Sequence, residues 1–290
     1  MRGGHTCDLL AYESAEKLHT VLEKTKYDAV VSSEAAVLAR VSPQDRAQTH
    51  TVFLAADFFC SQRMGAAKCD RYLIPQEELS FDFINRGALD RHVRVCGIPV
   101  PEKYSRRMTK TDGCSSLGLR AGLPVFLLLA DGVSGNEIKA TVRAAKALCP
   151  ATQLLILSTE ARIGALQGAF AESENVFVTQ STGNEALGLS VADAVFTAAF
   201  SVPVCAAAQR GKNLILLHTA SPGARKNAAF LDLHGAAFSG KTAADNVSYA
   251  CRLLESVRLR GNMNAAQEKY ILSDAEKRFV KILEEIADTD

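Results

Sequence analysis

Short apolar segments that alternate with amphipathic segments dominate the sequence from Leu123 onward. The apolar segments are four to seven residues long and lie at 124–130, 153–158, 175–180, 193–198, 213–218 and 236–239. The segments between them, such as 136–148 and 160–172, have apolar residues at helical spacing. Strands that alternate with helices form β-α-β units, and hence a parallel sheet with helices on both faces. Because each apolar segment is nearly continuous, we expect strands that are buried on both faces.

The first hundred residues show a weaker form of the same alternation. We predict strands at 27–33, 50–57, 69–75 and 93–99, and helices at 12–26, 34–41 and 76–87. The stretch 99–124 is rich in proline, glycine, serine and charge, which favours a connection between domains near 100–108. The sequence therefore predicts an α/β protein with an N-terminal lobe, a second lobe and a C-terminal helix, over 1–101, 102–272 and 273–290. Ser273 and Glu276 predict a capping box at the start of that helix.

The composition argues against several classes of protein. The 290 residues are 48% hydrophobic and 22% charged, and the net charge of +1 gives no basic bias for binding nucleic acid. No apolar run reaches the roughly 18 residues of a membrane span, and the first residues lack the apolar core of a secretion signal. Eight scattered cysteines without a C-x-x-C pair indicate reduced, buried thiols. We expect a cytoplasmic protein, and leave peripheral membrane contact open.

The first candidate site is the loop after the apolar segment 124–130. Asp131-Gly132-Val133-Ser134-Gly135 leads directly into a helical segment. Unpaired N–H groups and the positive end of the dipole make a helix start suitable for a phosphate, and the glycines permit close approach. The Asp131 carboxylate works against an anionic ligand. A glycine-rich turn between a strand and a helix is also common without any ligand, and the motif lacks the full G-x-G-x-x-G.

The second candidate site follows the segment 213–218. A Pro222-Gly223 turn precedes Arg225, Lys226 and Asn227 at the predicted start of a helix. Because strands of a parallel sheet end at one edge, these side chains would face the same cleft as the glycine loop and could hold sugar hydroxyls or phosphate. A plain turn with solvated cations explains the same residues.

Other residues form no recognisable catalytic or metal-binding pattern. No metal is expected, because the histidines lack partners at metal-ligand spacing; those considered are His19, His50, His92 and His234. There is no serine-centred turn or evident Cys–His pair. His5 follows two glycines, but a terminal residue without a preceding strand is a poor candidate for a base.

Several segments, taken in order, resemble one family. "YDAVVSS" (27–33) and "FLAADF" (53–58) precede "CDRYLIP" (69–75) and "VRVCGIPVPEKY" (93–104). After them come "LGLRAGLPVFLLLADGVSG" (117–135), "NVFVTQSTGNEALGLSVADAVFT" (175–197) and "SPGARKNAAFLDLHGAA" (221–237). This order is similar to that of the monogalactosyldiacylglycerol synthases and processive diacylglycerol glucosyltransferases, relatives of the lipid-II-forming N-acetylglucosaminyltransferase.

The resemblance implies a GT-B fold of two Rossmann-like lobes with parallel sheets. The C-terminal lobe would hold a UDP-sugar as donor substrate, without a further cofactor, and the N-terminal lobe would face a lipid acceptor at a membrane surface. Asp57 matches an acidic residue of the first lobe and is a weak candidate for the catalytic base. The donor-binding residues that the resemblance implies are Gly132, Ser134, Gly135, Val178, Thr197, Gly223, Arg225 and Asn227, with Val178 bordering the uracil.

The chain also departs from the family pattern. Ala198–Pro203 replaces a Lys-Pro-Gly-Gly-Leu-Thr turn, so Phe200 stands where a small residue is usual. Ala206 replaces a glutamate that holds the ribose hydroxyls, a loss of about 1.5–3 kcal/mol for hydrogen bonds to a charged group. Glu34 replaces a histidine. The segment before the first strand is shorter than in the family, and Gly3-Gly4-His5 resembles its acceptor loop, so we expect an incomplete N-terminal lobe.

These observations leave three interpretations. The first is a glycosyltransferase that moves a hexose from a UDP-sugar to a diacylglycerol-type lipid at the cytoplasmic membrane face. The second is an inactive relative that acts as a binding or scaffold protein, which Ala206, Phe200 and Glu34 favour. The third is a nucleotide-dependent epimerase of similar fold. The sequence does not specify the sugar, the acceptor or the oligomeric state.

Overall fold

Nine strands in two parallel sheets form the framework of the described residues. The structure, a computed structural model, describes residues 15–65, 68–104 and 106–288. The first sheet has the order β1-β2-β3-β4, with β1 (Ala29–Ser32), β2 (His50–Leu54), β3 (Arg71–Ile74) and β4 (Val93–Val95). The second has the order β7-β6-β5-β8-β9, with β5 (Val125–Leu129), β6 (Gln153–Ser158), β7 (Val176–Gln180), β8 (Ala194–Thr197) and β9 (Asn213–Leu216). The α/β class and the two Rossmann-like lobes are confirmed.

Helices connect the strands and cover the sheets. In the first hundred residues they are α1 (Ala15–Lys24), α2 (Ala35–Leu38), α3 (Gln62–Gly65) and α4 (Ser80–Asn85). The second half contains α5 (Lys110–Ser116), α6 (Gly135–Leu148), α7 (Glu160–Phe170), α8 (Glu185–Val191), α9 (Ser201–Ala208), α10 (Pro222–Leu233), α11 (Ala243–Glu255), α12 (Val257–Tyr270) and α13 (Ala275–Ala287). Single 3-10 turns lie at Asp45–Ala47, Glu77–Leu79, Asp90–His92 and Glu102–Tyr104. No helix in the described part of the chain is long and apolar enough to cross a membrane.

The second sheet is the more deeply buried. All five residues of β5 are buried, as are all six of β6. β5 is the central strand, with β6 on one side and β8 on the other. The chain therefore reverses its direction of travel across the sheet at β5: it continues from β5 to β6 and β7 on one side and from β8 to β9 on the other. Ligands of open α/β sheets bind at such a position, outside the carboxyl ends of the strands.

Helices pack on both faces of the first sheet, and on one face the helix is α13. Neighbouring residues of a strand point to opposite faces. Phe53 packs with Phe83 of α4 on one face. Val52 and Leu73 pack on the other face against Ile286 of α13.

Two predicted elements are wrong. Segment 236–239 forms only a single β-bridge, between Phe238 and Ile215. Its first residues are bonded elsewhere: the N–H groups of Ala236 and Ala237 donate to Leu231 O at the end of α10, and Gln267 of α12 donates to Ala236 O. The capping box at Ser273 is absent. Asp274 is the N-cap of α13 and makes no side-chain cap bond, while the Glu276 carboxylate accepts the N–H of Val100 at 2.6 Å. That carboxylate ties α13 to the segment between the sheets rather than to its own helix start.

The expectation of reduced thiols is also wrong at one pair. Cys149 and Cys251 form a disulfide between the end of α6 and α11, with their Cα atoms 6.7 Å apart. The pair is 102 residues apart in sequence, so only the packing of α11 against α6 reveals it. Among the other described cysteines, Cys96, Cys114 and Cys205 are free and buried, as expected.

Asp70 lies in segment 69–75, one of those that resemble the family, and it stabilises the first sheet. Its Oδ2 atom accepts the N–H and the hydroxyl of Thr51, each at 2.7 Å, and so ties the start of β3 to β2. Burial alone would raise the pKa of Asp70, but the hydrogen bonds from Thr51, together with the charges of His50 and Arg46, outweigh it and hold the pKa below its usual value.

The depressed pKa predicts an acid-dependent loss of stability. A carboxylate whose pKa is lower in the folded chain contributes stability above its unfolded pKa of about 3.9, and the contribution disappears as the pH falls through the folded pKa. We expect urea unfolding to show this loss below about pH 4 in the wild type and to show less of it in Asp70→Asn. Equal pH dependence of the two proteins would contradict the assignment. Asp82→Asn, on α4, serves as the control.

Candidate functional site

Three loops meet at the carboxyl edge of the second sheet. They follow β5, β8 and β9 and lead into α6, α9 and α10. The hydroxyl of Thr219, after β9, donates to the carbonyl of Gly132, after β5, at 2.8 Å. The two loops singled out from the sequence are therefore in direct contact, although β8 lies between their strands.

The glycine loop is held in place through its carbonyl groups. Arg162, in the first turn of α7, donates from Nη1 to Ala130 O at 2.7 Å and from Nη2 to Val133 O at 2.8 Å. Thr219 holds the intervening carbonyl of Gly132. The sequence analysis did not identify Arg162, and nothing in the sequence connects it with a loop about thirty residues earlier. A guanidinium that fixes these carbonyls fixes the orientation of the following N–H groups as well.

The start of α6 is open for a ligand. Ser134 is the N-cap, and its hydroxyl accepts the N–H of Glu137 at 3.1 Å. A Cβ atom built on Gly135 meets nothing within 4 Å, so the space beside this residue is free. The earliest N–H groups of a helix have no partner within it and carry the positive end of the dipole. This arrangement suits an anionic group.

The Phe200 ring lies against one side of Gly132, which is otherwise exposed. Gly132 has a φ of +71°, and a Cβ atom placed there would lie 2.2 Å from the Phe200 ring. The glycine therefore gives room to the aromatic side chain of the neighbouring loop. Phe200 is 37% exposed, so its ring forms part of the surface at this edge. Any anion would approach the helix start at Ser134 and Gly135 rather than Gly132.

Asn227 is engaged with the first lobe. It is 1% exposed, and its Oδ1 accepts the N–H of Phe58 at 2.9 Å. Its Nδ2 lies 2.7 Å from Asp57 Oδ1 and 3.1 Å from Ala199 O. The hydroxyl of Ser201 also donates to Asp57 Oδ1, at 3.2 Å. Asp57 and Asn227, predicted separately from the two lobes, thus form one hydrogen-bonded cluster.

Aromatic side chains extend this contact between the lobes. Phe58 is 2% exposed and stacks on Phe230 of α10, with ring centroids 5.6 Å apart. The ammonium group of Lys226 lies 4.9 Å from the centroid of the Phe59 ring. A Cβ atom on Gly223 would lie 3.8 Å from the same ring. The loop after β2 therefore packs directly on the first turns of α10.

Of the remaining predicted site residues, Thr197 and Arg225 lie at this edge, and Val178 lies in the middle of β7. Arg225 is exposed, and its Nη1 donates to Ala220 O at 2.7 Å and to Thr219 O at 3.3 Å. Thr197, the last residue of β8, is 1% exposed, and its hydroxyl donates to Ala198 O. Val178 lies on β7, with its carbonyl accepting a bond from Gln167. Gly3, Gly4 and His5 lie outside the described residues.

One acid–histidine pair was not recognised in the sequence. His218, just after β9, has Nδ1 3.5 Å from Oε1 of Glu137 in the first turn of α6. The Glu137 side chain is 17% exposed, and that of His218 is 54% exposed. The two residues are far apart in sequence and meet only because the loop after β9 reaches the glycine loop.

A cavity of about 400 Å³ lies away from the glycine loop, between the linker, α9 and α13. Its lining is mixed in charge and includes Ala206, where the family glutamate is expected; the residues are Val100, Glu102, Tyr104, Arg107, Ala206, Gln209, Arg210 and Glu276. The Arg210 guanidinium donates to the carbonyls of Tyr104 and Arg106 and to Ser190 Oγ. Burial, together with the charge of Arg107, lowers the pKa of Arg210. Arg210 therefore fixes the linker on the second lobe.

Across the described ranges, no group of three or more His, Cys, Asp or Glu side chains could hold a metal ion.

Two Rossmann-like lobes, the second with loops that meet at the carboxyl edge of its sheet, define the GT-B class of fold. Solved structures of similar fold support this assignment. A glycosyltransferase from Rickettsia africae superposes with a TM-score of 0.64 at 12% identity, covering 95% of this chain and 81% of that one. Staphylococcus aureus MnaA with UDP gives 0.68 at 14% identity, covering 98% and 82%. The UDP-GlcNAc 2-epimerase of Neisseria meningitidis, bound to UDP-GlcNAc, gives 0.66 at 15% identity, covering 93% and 80%. At these identities the likeness concerns the fold.

One family model matches the first lobe. The sequence model of the monogalactosyldiacylglycerol (MGDG) synthase family matches residues 4–100, a range that includes the whole first sheet. The resemblance to this GT-B family is therefore confirmed. No curated protein matches the sequence significantly.

Proposed function

We propose that the protein binds a UDP-sugar at the carboxyl edge of the second sheet and transfers its hexose to a diacylglycerol-type lipid. The observation that carries the proposal is the start of α6, where a braced glycine loop leaves free N–H groups beside open space at Gly135. The diphosphate would bind at Ser134 and Gly135, whereas Gly132, with the Phe200 ring against it, would only shape the loop. Such preorganised donors can neutralise a diphosphate without a metal ion.

The rest of the donor would extend along the same edge. Val178 would border the uracil, Thr197 would lie below the nucleotide, and the sugar would approach Gly223 and Arg225. Asn227 would act through the loop after β2, because its amide is already bonded to Asp57 and Phe58. Relatives in fold bind UDP or UDP-GlcNAc, which supports the choice of nucleotide.

The acceptor side rests on the family match to residues 4–100. An acceptor hydroxyl needs a general base. Asp57 is the candidate, since it lies in the first lobe next to Ser201 and Asn227 of the second. Lipid substrates place the reaction at a membrane surface, and we propose peripheral association with the cytoplasmic face.

Binding is tested by thermal unfolding of the full chain with UDP. A ligand at about 100 times its Kd stabilises the folded state by about 2.7 kcal/mol, so UDP is expected to raise the Tm and uridine to raise it less. An unchanged Tm at millimolar UDP would contradict the proposal. Phe200→Ala is the matched variant, because removal of the ring opens the space beside Gly132 and is expected to strengthen UDP binding.

A second function has its own support. Three features favour a non-catalytic relative that binds a ligand or partner. They are the Phe200 ring against Gly132, the alanine at position 206, and the Asn227 amide, whose hydrogen bonds are already made within the protein. Incubation with UDP-glucose or UDP-galactose and diacylglycerol vesicles separates the two. Release of UDP with formation of glycolipid supports the transferase, whereas UDP binding without turnover supports the non-catalytic protein. Isomerisation of UDP-GlcNAc in the same assay would indicate an epimerase instead.

A further inference from the structure

We propose that His218 is a phosphate-binding residue at the start of α6, held in place by Glu137, and that its ligand is the diphosphate of a nucleoside diphosphate. This inference rests on the proposed donor site and adds to it a side chain that the family resemblance does not supply. Three features of the structure carry it: the anchoring of the loop after β9, the pairing of the imidazole, and the balance of charges at the helix start.

The backbone of His218 is anchored beside the glycine loop. The next residue, Thr219, donates its hydroxyl to Gly132 O at 2.8 Å and accepts the N–H of Ser221 at 3.2 Å. Arg225 donates to the carbonyls of Thr219 and Ala220. Three hydrogen-bonding groups therefore fix the loop that carries the imidazole, and the position of His218 relative to the start of α6 is set.

Glu137 orients the imidazole. Its Oε1 atom is buried and makes no hydrogen bond to any described residue. The Nδ1 atom of His218 lies 3.5 Å from this oxygen. This separation is longer than an ordinary hydrogen bond, but it places the ring nitrogen at ion-pair distance from the carboxylate. With Nδ1 directed to Glu137, the Nε2–H on the opposite side of the ring remains available to a ligand. The side chain is 54% exposed, so a ligand can reach it.

The charges at this position require a cation before an anion can bind. Glu137 on α6 and Asp131 in the glycine loop would both repel a diphosphate. The His218 imidazole adds an N–H donor on this side of the helix start, and Arg225 on α10 adds a positive charge to the loop after β9. Together with the helix dipole, these groups convert a repulsive position into an attractive one.

Calorimetric titration of the full chain tests the inference. UDP and uridine are titrated into the wild type, His218→Asn and His218→Lys. We expect His218→Asn to weaken UDP binding about tenfold, as for the loss of one hydrogen bond to a charged group, and to leave uridine binding unchanged. His218→Lys places a cationic donor at this position and is expected to retain most of the UDP affinity. His92→Asn, in the first lobe, is the control and should bind both ligands as the wild type does.

The outcomes separate this inference from the proposed function. A wild type that binds neither ligand contradicts the donor site itself. A wild type that binds UDP, together with a His218→Asn variant of equal affinity, contradicts only the role of His218. An equal loss of UDP and uridine binding would mean that His218 supports the loop rather than the phosphate, and would also overturn the inference. Tm values of all variants establish that each is folded.

Discussion

Asn227→Leu is expected to lower the free energy of unfolding by about 3–5 kcal/mol, one of the largest effects of a single substitution in this chain. Leucine has a similar volume but no polar atoms. The N–H of Phe58 and the carbonyl of Ala199 would lose their partner in a buried place, and Asp57 would lose the donor at 2.7 Å. Each buried polar group left unpaired costs about 1–3 kcal/mol.

Equilibrium urea unfolding measures this effect, with Asn136→Leu as the control. Asn136 is exposed in the first turn of α6, so the same substitution there should change stability by no more than about 0.5 kcal/mol. Because Asn227 connects the lobes, we also expect the variant to lose single-transition unfolding. A loss below about 1 kcal/mol with one transition would show that the cluster contributes little to joining the lobes.

Gly132→Ala is expected to destabilise the protein by about 2–4 kcal/mol, for two reasons that can be separated. A left-handed backbone costs an L-residue roughly 1–2 kcal/mol, and φ at this glycine is +71°. The added methyl group would also lie 2.2 Å from the Phe200 ring and force it to move.

The double variant Gly132→Ala/Phe200→Ala divides the two causes. Removal of the ring should recover the packing part of the loss and leave the backbone part. Gly135→Ala is the control: it has open space and no positive φ, so it should be neutral or slightly stabilising. If Gly132→Ala were as stable as Gly135→Ala, this result would contradict the close packing of the Phe200 ring against Gly132.

The second lobe could be predicted from the sequence because its apolar segments are long and uninterrupted. Segments 124–130 and 153–158 correspond to β5 and β6, which are buried along their whole length. Segment 236–239 is shorter and less apolar, and Leu231 and Gln267 bond its first residues; no local pattern reports a partner 31 residues away. The Ser273 capping box failed for the same kind of reason, since Glu276 bonds the distant N–H of Val100.

The candidate site was predicted in part. Glycine and serine residues after a strand carry a local signal, and the loops at 131–135 and 221–227 do lie at the same sheet edge. The groups that hold those loops carry no such signal. Arg162 and Thr219 donate to carbonyl groups of a loop far from them in sequence. The residues next to them in the sequence do not distinguish them from other arginines and threonines. The Glu137–His218 and Asp57–Asn227 pairs depend in the same way on tertiary contacts.

The position of α13 determines when the first lobe can finish folding. Ile286, with Phe279, Ile282 and Leu283 beside it, covers the face of the first sheet that Val52 and Leu73 present. Gly97, just beyond β4, has a φ of +85° and leaves no room for a methyl group beside Ala275. Domains generally fold in order of their emergence from the ribosome. The first sheet is synthesised before α13, so one of its apolar faces stays exposed to solvent until α13 has emerged. We therefore expect nascent chains to depend on chaperones, and truncation before α13 to cause aggregation rather than release an independently folded lobe.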